Sequence, residues 1–482
     1  MIEGRNLSFV DKTLDNLRNA WREIRGSTRI AATGAVRADL PDDDLVRVER
    51  LVHECLEARG GEVSARARAA DLGQTYLTLD AEGRLRFLQL LVREFGPDRT
   101  VIDRAMSELD KAPAGELRLH AEARLRDALV SPRAKLFTQF TALPDGVKFL
   151  VDMRAEVRPL VMEDRELMAL EADLMRLFQS WFDVGFLDLE RITWESPASL
   201  LDKLIAYEAV HDIHSWDALK KRLAPDHRCF AFLHPRMPGE PIIFVEVALV
   251  EGMSNNIQRL IDEDAPPRDP HEADTAIFYS ISNAQKGLAG MSFGGFLIKQ
   301  VVDDLAREFK GLKTFATLSP VPGFCGWLDR CLAGPEQSLL DDIDMKALVK
   351  ATGKERPAEA IRMALGENWP QNEELAEALR EPLTRLCARY LLALPGDGAP
   401  PDPVARFHLR NGARIERINW LADSSPKGIA QSAGMMVNYN YRLADIEENH
   451  EAFVAEGRVI ASGAVKTLAK GGAFARRRKE RE

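Results

Sequence analysis

The run Ala276–Phe324 constrains this chain more than any other stretch. It opens on a short apolar segment, Ala276-Ile-Phe-Tyr-Ser-Ile281, and passes into a glycine-rich turn, Gly287-Leu-Ala-Gly-Met-Ser-Phe-Gly-Gly295. An amphipathic segment from Phe296 to Phe309 follows, with Ile298, Val301, Val302, Leu305 and Phe309 at helical spacing. A second apolar run, Lys313–Leu318, ends at Ser319-Pro-Val-Pro-Gly-Phe324. The order reads as strand, glycine loop, helix, strand. A glycine loop feeding a helix start presents unpaired backbone N–H groups and the positive end of a dipole, which suits a phosphate-bearing ligand. The plainer reading of the same residues is a turn that needs small side chains. Ser319 falls just past the second strand, where side chains can point into a crevice.

The rest of the chain divides around this unit. From about Asp11 to Asp183 the apolar spacing is helical, marked by Leu14, Leu17, Trp21 and Ile24, then by Leu85, Leu88, Val92 and Phe95 behind a capping Asp80, and later by Leu167, Leu170, Leu174 and Phe178. Short Pro/Gly joints between these segments predict an antiparallel helical bundle over residues 1–185. His53 and His120 stand among charged residues and read as surface groups. After Phe186 strand signals appear. Leu187–Trp194 reads as a strand or a linker, and Cys229–Leu233 with Pro241–Val250 reads as a hairpin around Met237-Pro-Gly-Glu240. Leu332–Leu394 is helical again with expected breaks at Gly353 and Pro382, and Pro395–Pro403 is a linker. Three further strands are expected at Ala405–Leu409, Ala413–Leu421 and Met435–Tyr441. The predicted class is α+β: an all-α bundle, then a mixed domain over residues 186–482 with a helical insertion at about 332–400.

A length of 482 residues asks for two or three domains, and 45% hydrophobic residues allow each a core. A net charge of -10 argues against general nucleic-acid binding. The five cysteines form no CxxC pair and no Cys/His group at zinc spacing, so no metal site is expected, and their scatter fits a reducing compartment. No apolar run is long enough for a membrane span, and no signal-peptide pattern opens the chain. Ile2-Glu-Gly-Arg5 resembles a protease-site remnant, and the charged tail Arg476–Glu482 reads as a solvated end.

Two sets of residues could carry chemistry. The loop contains Gly290-Met-Ser-Phe-Gly294, a literal GxSxG that would make Ser292 a hydrolase nucleophile, with Asp303 or Asp402 and His408 as partners. The nucleophile elbow needs a strand running directly into the serine, and Asn283–Ala289 intervenes. The other set is Ser319, stiffened by the Pro-Val-Pro-Gly that follows it, with His408 and Tyr441. His408 could equally be a packed core residue, and Tyr441, on one strand face with Tyr439, could equally be packing.

The strings Phe278-Tyr-Ser-Ile-Ser282, Gly287-Leu-Ala-Gly290, Phe296-Leu-Ile-Lys299, Leu318-Ser-Pro-Val-Pro-Gly-Phe324, Phe407-His-Leu-Arg-Asn-Gly412, Arg417-Ile-Asn-Trp-Leu-Ala-Asp423 and Met436-Val-Asn-Tyr-Asn-Tyr441 together resemble the malonyl-CoA decarboxylase family, as does His234–Leu249 with its Pro238-Gly-Glu-Pro241. The resemblance runs nearly the whole chain and is strongest from about Leu187 to Leu443. It implies an N-terminal helical domain used in self-association, hence a homo-oligomer (dimer or tetramer), and a catalytic domain like the GNAT acyltransferase fold. It implies that Ala289, Gly290, Met291, Ser292, Phe293, Gly294 and Gly295 hold the CoA pyrophosphate, that Ser319 and His408 are catalytic, also contacting substrate, and that Tyr441 assists. The implied reaction is loss of CO2 from malonyl-CoA to give acetyl-CoA, with no metal or organic cofactor because the thioester takes the electrons. The ending lacks Ser-Lys-Leu, so a cytoplasmic enzyme is expected. A CoA-dependent acyltransferase, a non-catalytic acyl-CoA binder and the hydrolase at Ser292 remain as alternatives.

Overall fold

The computed structural model describes residues 36–57, 61–291, 293–334, 342–366, 368–393 and 402–470, together with Ala20, Trp21, Ile24 and Leu340. Ser292, the Leu14/Leu17 face, Ile2–Arg5, most of the Pro395–Pro403 linker and the tail Arg476–Glu482 lie outside the described residues.

The chain forms two compact units. One runs through Asp188 and takes in Leu233–Ile242 and Asn283–Met291. It is helical, as the apolar spacing predicts, with helices at Asp42–Leu56, Gly61–Thr78, Ala81–Glu94, Arg99–Lys111, Glu116–Ala128, Pro132–Phe140, Gly146–Leu160 and Met168–Trp181. Asp80 caps the third of these by accepting from Gly83 N–H at 2.9 Å, and Ser131 caps the helix that opens on Pro132. Inside, Trp21, Tyr76, Phe87 and Phe149 pack edge to face, and Phe140 stacks on Trp21. Its buried charges are paired: Arg133 donates to Asp173 at 2.8 Å, and Ser131 donates to the same carboxylate. His53 and His120 are exposed.

The other unit holds an eight-stranded sheet. Its strands are β1 (Asp188–Ile192), β2 (His227–Leu233), β3 (Ile243–Val250), β4 (Thr275–Asn283), β5 (Thr314–Thr317), β6 (Ser319–Pro320), β7 (Arg414–Asn419) and β8 (Met436–Asn440). Their order is β1-β2-β3-β4-β5-β8-β6, with β7 paired to β8. The hairpin β2–β3 is antiparallel, with Cys229 opposite Glu246. β4 and β5 run parallel, Ile277 opposite Ala316, and the Gly294–Glu308 helix makes the crossover that a parallel pair requires. The strand–loop–helix–strand reading of Ala276–Phe324 is therefore the observed order.

Side-chain alternation splits this sheet into two faces. Ala248, Ile277, Tyr279, Ala316, Leu318 and Met436 enter one apolar cluster with Ile257, Leu260 and Ala422. Since alternate residues face opposite ways, Thr317 and Ser319 are turned to the other face.

Two expectations are corrected. Ala405–Leu409 is not a strand but part of a helix, Pro403–Arg410. Asp402 caps it by accepting from Val404 and Ala405 N–H, and Pro403 occupies the first turn, so local capping outweighs the short apolar alternation. Pro382 does not break its helix either: Glu373–Leu392 is continuous through it. Leu379, Leu383, Leu386 and Leu391 are buried on both sides of the proline, and this packing offsets the one lost hydrogen bond. The expected break at Gly353 is present, where φ is +68°.

Candidate active site

The polar face of the sheet gathers three residues that lie far apart in sequence. Ser319 begins β6, His408 sits in the second turn of the Pro403–Arg410 helix, and Tyr441 directly follows β8. His408 Nε2 lies 3.0 Å from Ser319 Oγ, and His408 Nδ1 lies 2.8 Å from Tyr441 Oη. All three are buried. Tyr439, on the same face as Tyr441, stacks on the His408 ring with centroids 4.5 Å apart. Burial pushes His408 down to about 3, so its imidazole is neutral, and burial raises the Tyr441 phenol well above its ordinary range, so it keeps its proton.

The helix that carries His408 is fixed from its start. Asp402, besides capping that helix, accepts from Gly323 N–H at 3.1 Å in the loop after Ser319 and from the Tyr390 hydroxyl at 3.4 Å. One carboxylate thus ties the serine loop to the histidine helix. Val321 N–H donates to Ser432 Oγ and pins the same loop from the far side. These two acceptors set the direction of the Pro-Val-Pro-Gly loop.

The glycine loop is divided between the two compact units. In the helical unit Arg154 donates to the carbonyls of Gly287 and Ala289, the latter at 3.1 Å, and a Cβ on Gly287 would fall 1.8 Å from Val151 O. Gly290 holds φ +94°, a conformation open to glycine. The N–H groups of Ala289 and Met291 close turns onto Lys286 O and Leu288 O. In the sheet unit the Gly294–Glu308 helix starts without a side-chain cap, and its first internal bond is Leu297 N–H to Phe293 O. Among the described residues no carbonyl accepts from the N–H groups of Gly294, Gly295 and Phe296, the donors that a helix start leaves over. The two glycines also meet a packing demand, because a Cβ on Gly294 would lie 2.3 Å from the Phe407 ring and one on Gly295 2.3 Å from Asn411 Oδ1. The small-residue reading holds at Gly287, Gly294 and Gly295, where a Cβ would meet a neighbour. Ser292 is outside the described residues. His408 makes its contacts with Ser319 and Tyr441, and neither ring nitrogen carries the carboxylate partner a hydrolase triad uses.

A cavity of about 510 Å³ lies at the helix start and meets the trio at Tyr441. Gly295, Phe296 and Lys299 line one side, Arg410 and Asn411 the next, with Tyr441, Glu447, His450 and Glu451 completing it. Of these, Lys299 and Arg410 lie within the strings that carry the family resemblance but were not singled out as site residues, and His450 carries no sequence pattern that marks it. Thr317, which accepts from Ser319 at 2.9 Å, was legible as its i−2 neighbour on a strand face.

A buried, hydrogen-bonded Ser–His–Tyr trio, with one member on a cavity that a helix start, Lys299 and Arg410 also line, has the make-up of an acid–base site for an anionic substrate. Comparison with known proteins places it further. Residues 95–182 match the model of the malonyl-CoA decarboxylase N-terminal domain, and residues 185–479 match that of the C-terminal domain. The mitochondrial malonyl-CoA decarboxylase of Rattus norvegicus is 38% identical over 421 residues, 84% of this chain and 85% of that protein. The mitochondrial enzyme of Anser anser anser is 36% identical, covering 83% of this chain and 82% of its own. The crystal structure of malonyl-CoA decarboxylase from Rhodopseudomonas palustris superposes with a TM-score of 0.78 at 43% identity, over 88% of this chain and 99% of that one. That from Agrobacterium vitis gives 0.78 at 41% identity over the same shares. The chain belongs to the malonyl-CoA decarboxylase family.

Proposed function

We propose that this chain converts malonyl-CoA to acetyl-CoA and CO2, and that Ser319, His408 and Tyr441 carry the reaction. The observation that supports this most is the hydrogen-bonded trio itself, buried on a sheet shared with decarboxylase structures. In the reaction the bond between the carboxylate carbon and Cα breaks. Its electron pair passes into the thioester as an enolate, CO2 leaves, and a proton closes Cα. The thioester is the electron sink, so no metal or organic cofactor is needed. The site has to align the carboxylate, stabilise the enolate oxygen and deliver the proton. His408 supplies that proton. Ser319 binds the departing carboxylate or relays the proton with His408, and Tyr441 supports the ring from Nδ1. The phosphates of CoA sit at the start of the Gly294–Glu308 helix, with the N–H groups of Gly294, Gly295 and Phe296 as donors and Lys299 and Arg410 on the same cavity.

The deciding experiment gives purified protein malonyl-CoA alone and follows CO2 and acetyl-CoA. Release without an acceptor supports the decarboxylase. A requirement for an amine makes it an acyltransferase, and binding without turnover makes it an acyl-CoA-binding protein.

We further propose that residues 1–185 are a self-association domain and 186–482 the catalytic domain, in a dimer or tetramer. Exposed Met106, Leu117, Leu119 and Leu129 on two adjacent helices of the first support this. Sedimentation with and without substitution of those four by Ser or Glu tests it. Cysteines Cys55, Cys229, Cys325, Cys331 and Cys387, all unbridged, suit the reducing cytoplasm. Among the described residues no helix is long and apolar enough to cross a membrane.

A further inference from the structure

Thr317 stands outside the trio, yet it fixes which way the trio's hydrogen bonds run. Its Oγ1 accepts the Ser319 hydroxyl at 2.9 Å and the Tyr439 N–H at 3.2 Å. Its own carbonyl is held by Asn438 Nδ2 at 2.7 Å, so the side chain has a fixed base. A hydroxyl has one proton. In the substrate-free site, with that proton given to Thr317, Ser319 Oγ can only accept from His408, 3.0 Å away, which places a hydrogen on Nε2. In a neutral ring Nδ1 is then the acceptor, and the Tyr441 phenol 2.8 Å away donates to it. Burial keeps both groups in the required states, the imidazole neutral and the phenol protonated. The assignment made at the Ser319 end therefore fixes the Tyr441 end as well.

We propose that Thr317 is a positioning residue: by accepting the Ser319 hydroxyl it holds His408 as the Nε2–H tautomer, with a transferable proton at the Ser319 end of the ring. Without an acceptor at 317 the Ser319 hydroxyl is free to turn and donate to Nε2. The ring proton then moves to Nδ1, where it faces Tyr441, and no proton remains at the Ser319 end. With the Nε2–H tautomer, transfer of that proton to the enolate Cα is matched by uptake of one at Nδ1 from Tyr441. Once product has left, a solvent proton enters at Nε2 and Nδ1 returns its proton to the Tyr441 phenolate, which restores the resting tautomer. One proton enters and one leaves, and the ring stays neutral.

This inference rests on the decarboxylation reading, and its tests separate the two. In wild-type protein carrying ¹⁵N-histidine, with His408→Asn to assign the signals, Nε2 is expected to give the shift of a protonated ring nitrogen and Nδ1 that of an unprotonated one. The reverse pattern overturns the proposal whether or not the protein turns over. Thr317→Val keeps the shape and removes the hydroxyl. It is expected to lower kcat about tenfold or more with KM within about twofold, and to move the His408 signals toward the Nδ1–H pattern. Thr317→Ser is expected to recover activity to within a few-fold. In a Ser319→Ala background Thr317→Val should change kcat by less than about twofold, because it acts through that serine. An equal loss in both backgrounds, or full activity in Thr317→Val, overturns it. If Thr317→Val fails to fold, the wild-type ¹⁵N pattern still decides. Wild-type protein that releases no CO2 sinks the functional reading alone.

Discussion

The chemistry of single residues here is governed by burial. His408 would titrate near neutrality in water, and its buried position pushes it down to about 3. The pH profile of kcat/KM reports ionisations of the free enzyme, so it should show no limb from His408 between about pH 5 and 9. A limb near pH 6.5 that vanishes in His408→Asn would show that the ring is solvated. The same variant should lower kcat by about a hundredfold or more while the affinity for CoA changes little. Tyr441→Phe keeps the ring's packing but takes away the donor at Nδ1, so kcat should fall with KM nearly unchanged. Ser319 and Tyr441 were readable as candidates because each lies at a strand end. The pairing of Ser319 with His408 was not readable, since 89 residues separate them and no local pattern couples them.

At the scale of elements, a few capping and contact groups decide how the site is assembled. Asp402 has two duties, at the start of the histidine helix and at the serine loop. Asp402→Ala should therefore cost about 1–2 kcal/mol in stability, seen in urea titration, and should lower kcat even though the residue lies outside the trio. A stability loss without any effect on kcat would restrict its role to the cap. The glycine pair makes a different prediction. Gly294→Ala drives a methyl into the Phe407 ring next to His408, an overpacking worth about 1–3 kcal/mol, and should weaken CoA binding as the helix start shifts. The element order from Ala276 to Phe324 was legible because glycine, helical spacing and β-branched runs are local signals. The helix at Pro403–Arg410 was misjudged for a local reason too: Asp402-Pro403 is a helix-start pair, and the apolar alternation of Ala405, Phe407 and Leu409 masks it.

Over the whole molecule, buried neutral histidines link folding to pH. His211, like His408, is held below its ordinary value by burial, to about 4, and its Nε2 has no hydrogen-bond partner among the described residues. Between pH 4 and 6.5 the unfolded chain binds a proton at this position that the folded chain refuses. The contribution is thus complete above about pH 6.5 and is lost as the pH falls through that window. In His211→Gln the loss of stability between pH 7 and 4.5, measured by denaturant titration, should be smaller than in the wild type by up to about 3 kcal/mol. An unchanged slope would mean that His211 gains a proton in the folded state. The element order of Ala276–Phe324, the helical character of the first compact unit and the family were legible in the sequence alone, because periodicity, capping and long motifs are written in neighbouring residues. Only the tertiary structure decided that Thr317, Ser319, His408 and Tyr441 form one hydrogen-bonded chain. The register of β5 against β8 and the placement of one capped helix bring those side chains together, and such long-range distances depend on how the whole sheet closes.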